Sequence, residues 1–420
     1  MRNIELGPFP CVAVAICVTT ALTSCGSSSS TGSSSNPPPP PQKTHLAVAD
    51  TGDNRLLIYD TPLSANSSPV TVIGQASFTQ GLGNGGASTA SAATLYSPHG
   101  VVVDGAGNLW VADRGNCRVL KFKPPFTTGM SASVLIGQSD FTSTGTLGDW
   151  GCIPPPSFTP ATLESPVAVA LDSQGDLWVA DESAGRITEY VPPFSNGMAA
   201  AVVIGQSNLN DTYPCDGANI GNHGPIRPPT AATLCRPESI VFDSHGNLWV
   251  ADQSNMRGLE FIPPFSTGMP ASLVLGQPNA TVFTGGAECI ASATTFCTAD
   301  ALNFDASGNL WISDWKFNRV LQFVPPFSTG MAASLEIGQP NFTDWGGRPG
   351  DLMNSPTGLT FDANGNLIVT NVSEILVYAP PFSTAMNPAT TLTSGPGTCA
   401  YALPGPGRST ICEPVGIVAF

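Results

Sequence analysis

Four histidines are the chain's whole stock of imidazole: His45, His99, His223 and His245. His99 stands just after a proline in Ser97-Pro98-His99-Gly100, and Glu238 holds the same place in Arg236-Pro237-Glu238-Ser239. Asp300 fills it in Thr298-Ala299-Asp300-Ala301, and Val167, Thr357 and Val415 fill it in three further units. An imidazole and two carboxylates at equivalent positions are a donor set for Zn or Ca. Such an ion would activate a water or polarise a carbonyl. His99, Glu238 and Asp300 are therefore the candidate metal ligands, and His99 is the candidate catalytic residue of a lyase or hydrolase. The plainer reading is three polar side chains in a wet opening. No other cofactor is called for. Neither G-x-S-x-G nor H-E-x-x-H occurs. Gly81-Leu82-Gly83-Asn84-Gly85-Gly86 has the letters of a dinucleotide loop. It sits in a connecting segment rather than between a strand and a helix, so it is set aside.

These positions correspond because the chain repeats. One unit reads Pro98-His-Gly-Val-Val-Val-Asp104, a Gly-Ala-Gly-Asn turn, Leu109-Trp-Val-Ala-Asp113, then Arg118-Val-Leu-Lys-Phe122, Pro124-Pro-Phe126 and Val134-Leu-Ile-Gly137. Its central marker returns at Leu177–Asp181, Leu248–Asp252 and Leu310–Asp314, weakly at Leu367–Asn371, and opens the domain at Leu46–Asp50. The four stretches of a unit read as short strands a to d. Asp104 and Gly107 supply the a–b turn, the Asp by accepting amide protons and the Gly by tolerating positive φ. Strand b is apolar on both faces and so belongs to a sheet packed between two others. Ser97 to Gln138 spans 42 residues, the size of a propeller blade at about 40–45. Longer spacings between markers are read as loops between strand d and the next strand a.

The first unit lacks a strand a, and the chain ends on one that lacks a partner, Pro414-Val-Gly-Ile-Val-Ala-Phe420. The count therefore closes as an all-β, six-bladed propeller of four-stranded blades, its C-terminal strand pairing with the N-terminal blade. Closure removes the exposed sheet edges that invite aggregation.

The unit resembles the NHL repeat, which reads roughly P-x-G-V-A-V-D-x-x-G-N-L-Y-V-A-D-x-x-N-x-R-V, over residues 44–420 of a propeller domain expected at 43–420. Its Arg recurs as Arg55, Arg118, Arg186, Arg257 and Arg319, with Ile375 at the aligned place in the sixth unit. These arginines are expected to tie the b–c turns, and the Pro-Pro-Phe segments to be structural c–d turns. In propellers of this kind ligands bind where d–a and b–c loops surround the channel, which is an argument from fold. The residues following each strand b there include Arg114, Glu182, Gln253 and Trp315, the candidate binding residues. Some NHL-like propellers are lyases that use histidines from several blades. Only His99 is suitably placed here, which disfavours that activity.

Eleven cysteines are present. Cys235, Cys297 and Cys412 share one repeat position, each with an upstream cysteine in its own insert. Cys117 lies in a b–c turn and Cys152 in the next d–a insert, on the same face of a propeller. The expected disulfides are Cys117–Cys152, Cys215–Cys235, Cys289–Cys297 and Cys399–Cys412, as suits an exported domain.

Residues 1–24 read as a lipoprotein signal peptide whose apolar run is too short to span a bilayer. Leu22-Thr23-Ser24-Cys25 resembles the bacterial lipobox, which makes Cys25 the lipidation site. Residues 25–42 form a Ser/Gly/Pro-rich tether. Acidic residues outnumber basic ones 30 to 15, for a net charge of −15. That excludes nucleic acid and leaves the lipid anchor as the only membrane contact. Gly and Pro total 44 and 40 residues, and only 11% of residues are charged. Such a composition suits strands and turns, not helical bundles. The expected protein is a monomeric module anchored to the bacterial envelope, at the outer membrane or cell surface. It presents its loop face to a protein, peptide or glycan. The alternative is the metal-assisted lyase or hydrolase at the channel mouth.

Overall fold

The computed structural model describes residues 45–143, 146–148, 151–153, 159–210, 229–282, 289–345, 353–393 and 411–420. The chain divides into Met1–Gln42 and Lys43–Phe420, and all described residues belong to the second unit. The signal peptide 1–24, Cys25, the tether 25–42, Cys215, Cys399 and the side chain of Cys152 lie outside the described residues.

Six four-stranded antiparallel sheets form the blades, each ordered a–b–c–d. Blade 2 runs Pro98–Val103, Leu109–Asp113, Arg118–Phe122 and Val134–Ile136. Strands a and b are Pro166–Leu171 and Leu177–Asp181 in blade 3, Pro237–Phe242 and Leu248–Asp252 in blade 4, and Ala299–Phe304 and Leu310–Asp314 in blade 5. Blade 6 begins with Pro356–Phe361 and Leu367–Asn371. Blade 1 takes its strand a from the C-terminus: Leu46 pairs with Ala419, Ala47 with Val418 and Val48 with Ile417. That strand also packs against the strands a of blades 6 and 2, so the ring is sealed as the sequence required. An unforeseen hairpin, Thr146–Gly148 with Gly151–Ile153, forms in the insert after blade 2.

Every strand b is buried on both faces, and in four of the six blades aromatic staples join it to the neighbouring blade. The indoles of Trp110, Trp178, Trp249 and Trp311 are fully buried. Each is met edge-on by the Pro-Pro-Phe ring of the next blade, Phe194, Phe265, Phe327 or Phe382, at 4.8–4.9 Å. Offset ring pairs of this kind add about 0.5–1.5 kcal/mol beyond burial. The c–d turns are thus structural, as expected. The indole NH of Trp110 donates to Asp104 of the a–b turn at 3.2 Å, and blades 3 to 5 repeat the bond.

The arginine column does more than tie a turn. Arg257 is fully buried and donates from Nε to Asp252 at 2.7 Å. Its Nη2 donates to the carbonyls of Thr230 and Thr233 in the preceding insert. The other oxygen of Asp252 accepts the amide of Cys235 at 2.6 Å, just ahead of strand a. The same clamp recurs at Arg55, Arg118, Arg186 and Arg319. Blade 6 corrects the sequence alignment: Asn371 pairs in register with Glu374, not Ile375. Its b–c turn is two residues shorter, and an Asn371–Glu374 contact at 3.3 Å replaces the ion pair.

Cys117, Cys235 and Cys412 are disulfide-bonded. The expected Cys289–Cys297 disulfide is not formed, and both residues are free thiols. The thiols interact with each other, and Sγ of Cys289 also donates to the Phe296 carbonyl at 3.6 Å.

Candidate functional site

A channel with a cavity of 380 Å³ runs down the axis, lined by the strands a of all six blades. These strands are crowded where they meet. A Cβ on Gly416 would lie 2.0 Å from the His99 carbonyl, and one on Gly358 2.1 Å from that of Val415. Glycine lets the backbones approach this closely at those points.

Each strand a carries an irregularity near its start. The register with strand b shifts between Pro98 and Val101, Pro166 and Ala168, Pro237 and Ser239, and Ala299 and Leu302. His99, Val167, Glu238 and Asp300 sit within these shifts. A bulge re-aims a side chain that regular pleating would place otherwise. Glu238 and Asp300 line the channel.

The centre of the mouth is an ion-pair network around Glu182, which is only 3% exposed. Arg114 reaches it from blade 2 through Nη2 at 3.0 Å. Arg236, ahead of strand a in blade 4, reaches it through Nε at 2.5 Å and also through Nη2. Ser165 Oγ accepts from Arg114 Nε at 2.9 Å and donates to Glu182 at 3.2 Å. Burial works against the Glu182 charge, but the two guanidiniums outweigh it and hold the carboxyl below its usual range. Opposite charges in low dielectric favour ionisation in this way.

The neighbouring acids behave in the opposite sense. Burial pushes Asp300 up to about 8, although Gln253 Nε2 donates to its Oδ1 at 2.7 Å. Burial, with Glu182 and Asp300 nearby, raises Glu238 well above the carboxylate range. Burial, with the Arg114 charge, lowers His99 to about 4, and its Nδ1 lies 3.1 Å from the Ser97 carbonyl. The mouth therefore sets two guanidiniums and the Glu182 carboxylate beside two acids, Glu238 and Asp300, that burial drives toward the protonated form, and an imidazole driven toward the neutral form.

The structure brings Arg114 together with Glu182 and Gln253 with Asp300, and leaves Trp315 42% exposed. It does not bring His99, Glu238 and Asp300 together as a metal site. Among the described residues, trios whose ligand atoms lie within 4.8 Å of one another are Asp50, Asp53 and Cys412, and Asp172, Asp176 and Glu189. Arg55 neutralises the first pair of acids, and Cys412 is in a disulfide. The second trio lies at the a–b turn of blade 3, where Asp176 replaces the Asn of other blades. No step through a metal ion is derived at the mouth.

Arg236 escaped the sequence reading. Its repeat position holds Ser97, Ser165, Thr298, Ser355 and Glu413 in the other blades, so an arginine there was the available signal. It adopts φ 53°, as Ser97, Ser355 and Glu413 adopt 47°, 55° and 50°. A left-handed residue before the bulge is thus common to this corner.

Residues 95–122, from the start of blade 2 through its strand c, match the NHL repeat. The six closed sheets make the described chain a six-bladed β-propeller, one unit of which matches the NHL repeat. Solved structures of similar fold include the periplasmic gluconolactonase of Pseudomonas aeruginosa, 14% identical over 90% of this chain and 98% of its own, with TM-score 0.50. A chain of the nidogen/laminin complex is 16% identical over 90% and 98%, with TM-score 0.48. Virginiamycin B lyase from Staphylococcus aureus is 11% identical over 72% and 71%, with TM-score 0.39. At such identities the likeness is one of fold. No curated protein matches the chain.

Proposed function

We propose that this protein is an exported, lipid-anchored binding module that takes a protein, peptide or glycan ligand at the loop face of its propeller. The observation that carries the reading is the mouth network: two partly exposed arginines locked onto buried Glu182 at the end of the channel. Preorganised charge on a rigid ring, beside acids with displaced titration, is the pattern of a recognition site. The apolar run before Cys25 supplies the export and anchoring part of the reading, and the net charge of −15 weighs against a nucleic-acid partner.

The test is a glycan and peptide array probed with the intact chain and with Glu182→Gln, which frees both guanidiniums from their fixed geometry. Selective signals from the native protein that are lost in the variant support the reading. Signals that persist unchanged, or no signal from the native chain, overturn it.

A hydrolase or lyase remains the second reading. It is favoured by Glu238 and Asp300, whose burial favours the protonated form, as suits protonation of a leaving group. Turnover of an ester or lactone panel that disappears in Glu238→Gln, with ligand binding retained, would establish it.

A further inference from the structure

One arc of the mouth gathers groups that no single blade supplies. The amide of Gln253 donates to the Arg236 carbonyl at 3.2 Å, tying the residue after strand b to the arginine before strand a in blade 4. The side chain of Gln253 crosses to Asp300 in blade 5 at 2.7 Å. Two residues before Asp300, the Thr298 carbonyl accepts the amide of Trp315 at 2.9 Å. These contacts set a guanidinium, a carboxamide and a carboxyl close together, with the backbone of Trp315 anchored two residues before Asp300.

Each group offers something specific. Arg236 spends Nε and Nη2 on Glu182, while Nη1 makes no bond to any described residue and the side chain is 34% exposed. A planar fork of this kind binds a carboxylate in a fixed direction. Gln253 and Asp300 are paired donor and acceptor groups of the sort that hold hydroxyls. The 42% exposed Trp315 is a flat apolar surface on the rim. An anionic group, adjacent hydroxyls and an apolar C–H face occur together in an acidic sugar.

We infer that the blade 4–5 arc of the mouth is a subsite for a carboxylated saccharide, its carboxylate on Arg236, its hydroxyls on Gln253 and Asp300, and its ring face on Trp315. This rests on the binding reading above and narrows it to one ligand class. The molecule as a whole, at −15, repels anions, so attraction must come from the mouth itself. There Arg114 and Arg236 face the carboxylate of Glu182, while burial favours the protonated forms of Glu238 and Asp300 and the neutral form of His99. Asp314, also near Asp300, is matched by Arg319. As pH rises through about 8, Asp300 ionises and the local positive charge falls.

The experiment is calorimetric titration of the intact protein at pH 6.5 with methyl galacturonoside, and with methyl galactoside as the uncharged control. The expected result is at least about tenfold tighter binding of the acidic sugar, since charge-assisted hydrogen bonds are worth that much. Arg236→Met should remove the preference, Arg236→Lys should restore part of it, and the preference should fade at pH 9. Trp315→Ala, an exposed position, should weaken both sugars alike without disturbing the fold. Equal affinity for the two sugars, or a preference that survives Arg236→Met in a protein of unchanged melting temperature, overturns the carboxylate assignment. Array signals confined to peptides and abolished by Glu182→Gln overturn the saccharide class but leave the mouth as a binding site. The binding reading itself falls only if the native chain gives no array signal or Glu182→Gln leaves the signals unchanged.

Discussion

Replacing Arg257 by Met should cost this propeller a large part of its stability, and the reason lies entirely inside blade 4. Among the described residues Arg257 is the cation paired with Asp252, and both side chains are 0% exposed. Methionine fills much of the same space but leaves a buried carboxylate without its counter-charge. Removing one partner of a buried pair costs about 3–5 kcal/mol. The carbonyls of Thr230 and Thr233 also lose their donor, at about 1 kcal/mol each where water does not replace it. The expected loss is about 4–6 kcal/mol, against a typical total of about 5–15. Asp252→Asn with Arg257→Met should be less damaging than the sum of the single changes, by about 2 kcal/mol or more, because no lone charge remains. The assay is urea unfolding followed by tryptophan fluorescence for the native chain, both single variants and the double variant. A loss below about 1 kcal/mol for Arg257→Met, or strict additivity in the cycle, would refute the clamp. The same experiment reaches the site. Asp252 also holds the Cys235 amide at 2.6 Å next to Arg236, so Arg257→Met should loosen the mouth as well.

Burial lowers His99 to about 4 from 6.5, so the unfolded chain binds the extra proton first. Stability from this group is complete above about pH 6.5 and is lost as pH falls toward 4, by at most about 3 kcal/mol. His99→Gln should flatten that part of the stability–pH curve, and an unchanged slope would refute the assignment. Phe265→Ala should lower stability by about 2–3 kcal/mol, through lost burial and the edge contact with Trp178, while Phe265→Tyr is nearly neutral. Melting temperatures of the two variants decide it, and equal values would count against the staple. Ile417→Asp places a charge in the closing strand, next to Val48. It should open the ring, giving faster proteolysis and a larger hydrodynamic radius, whereas an unchanged radius would mean that closure does not depend on this strand.

The architecture was legible because its determinants are local and repeated six times over. Leu-Trp-Val-Ala-Asp dictates a strand buried on both faces, Asp-x-x-Gly dictates the turn, and the unmatched strands at the two ends dictate closure. The Pro-Pro-Phe segments were recognisable as turns. That each Phe packs on the tryptophan of a neighbouring blade was not, because the partner lies a whole blade away in the chain. Glu182, Arg114, Gln253 and Trp315 could be nominated from their repeat position alone. Their pairing could not be, since Arg114 and Glu182 are 68 residues apart and meet only across the ring. Sequence alignment grouped His99, Glu238 and Asp300 as equals, yet the strand-a irregularities aim them without producing a metal-binding trio. Arg236 looked like an ordinary insert residue until its left-handed backbone and the buried Glu182 turned it toward the mouth. Composition and spacing thus settled the wheel, since strand and turn preferences act over a few residues. The charges at its hub were decided by the tertiary structure, because burial and cross-blade contacts exist only once the ring has closed.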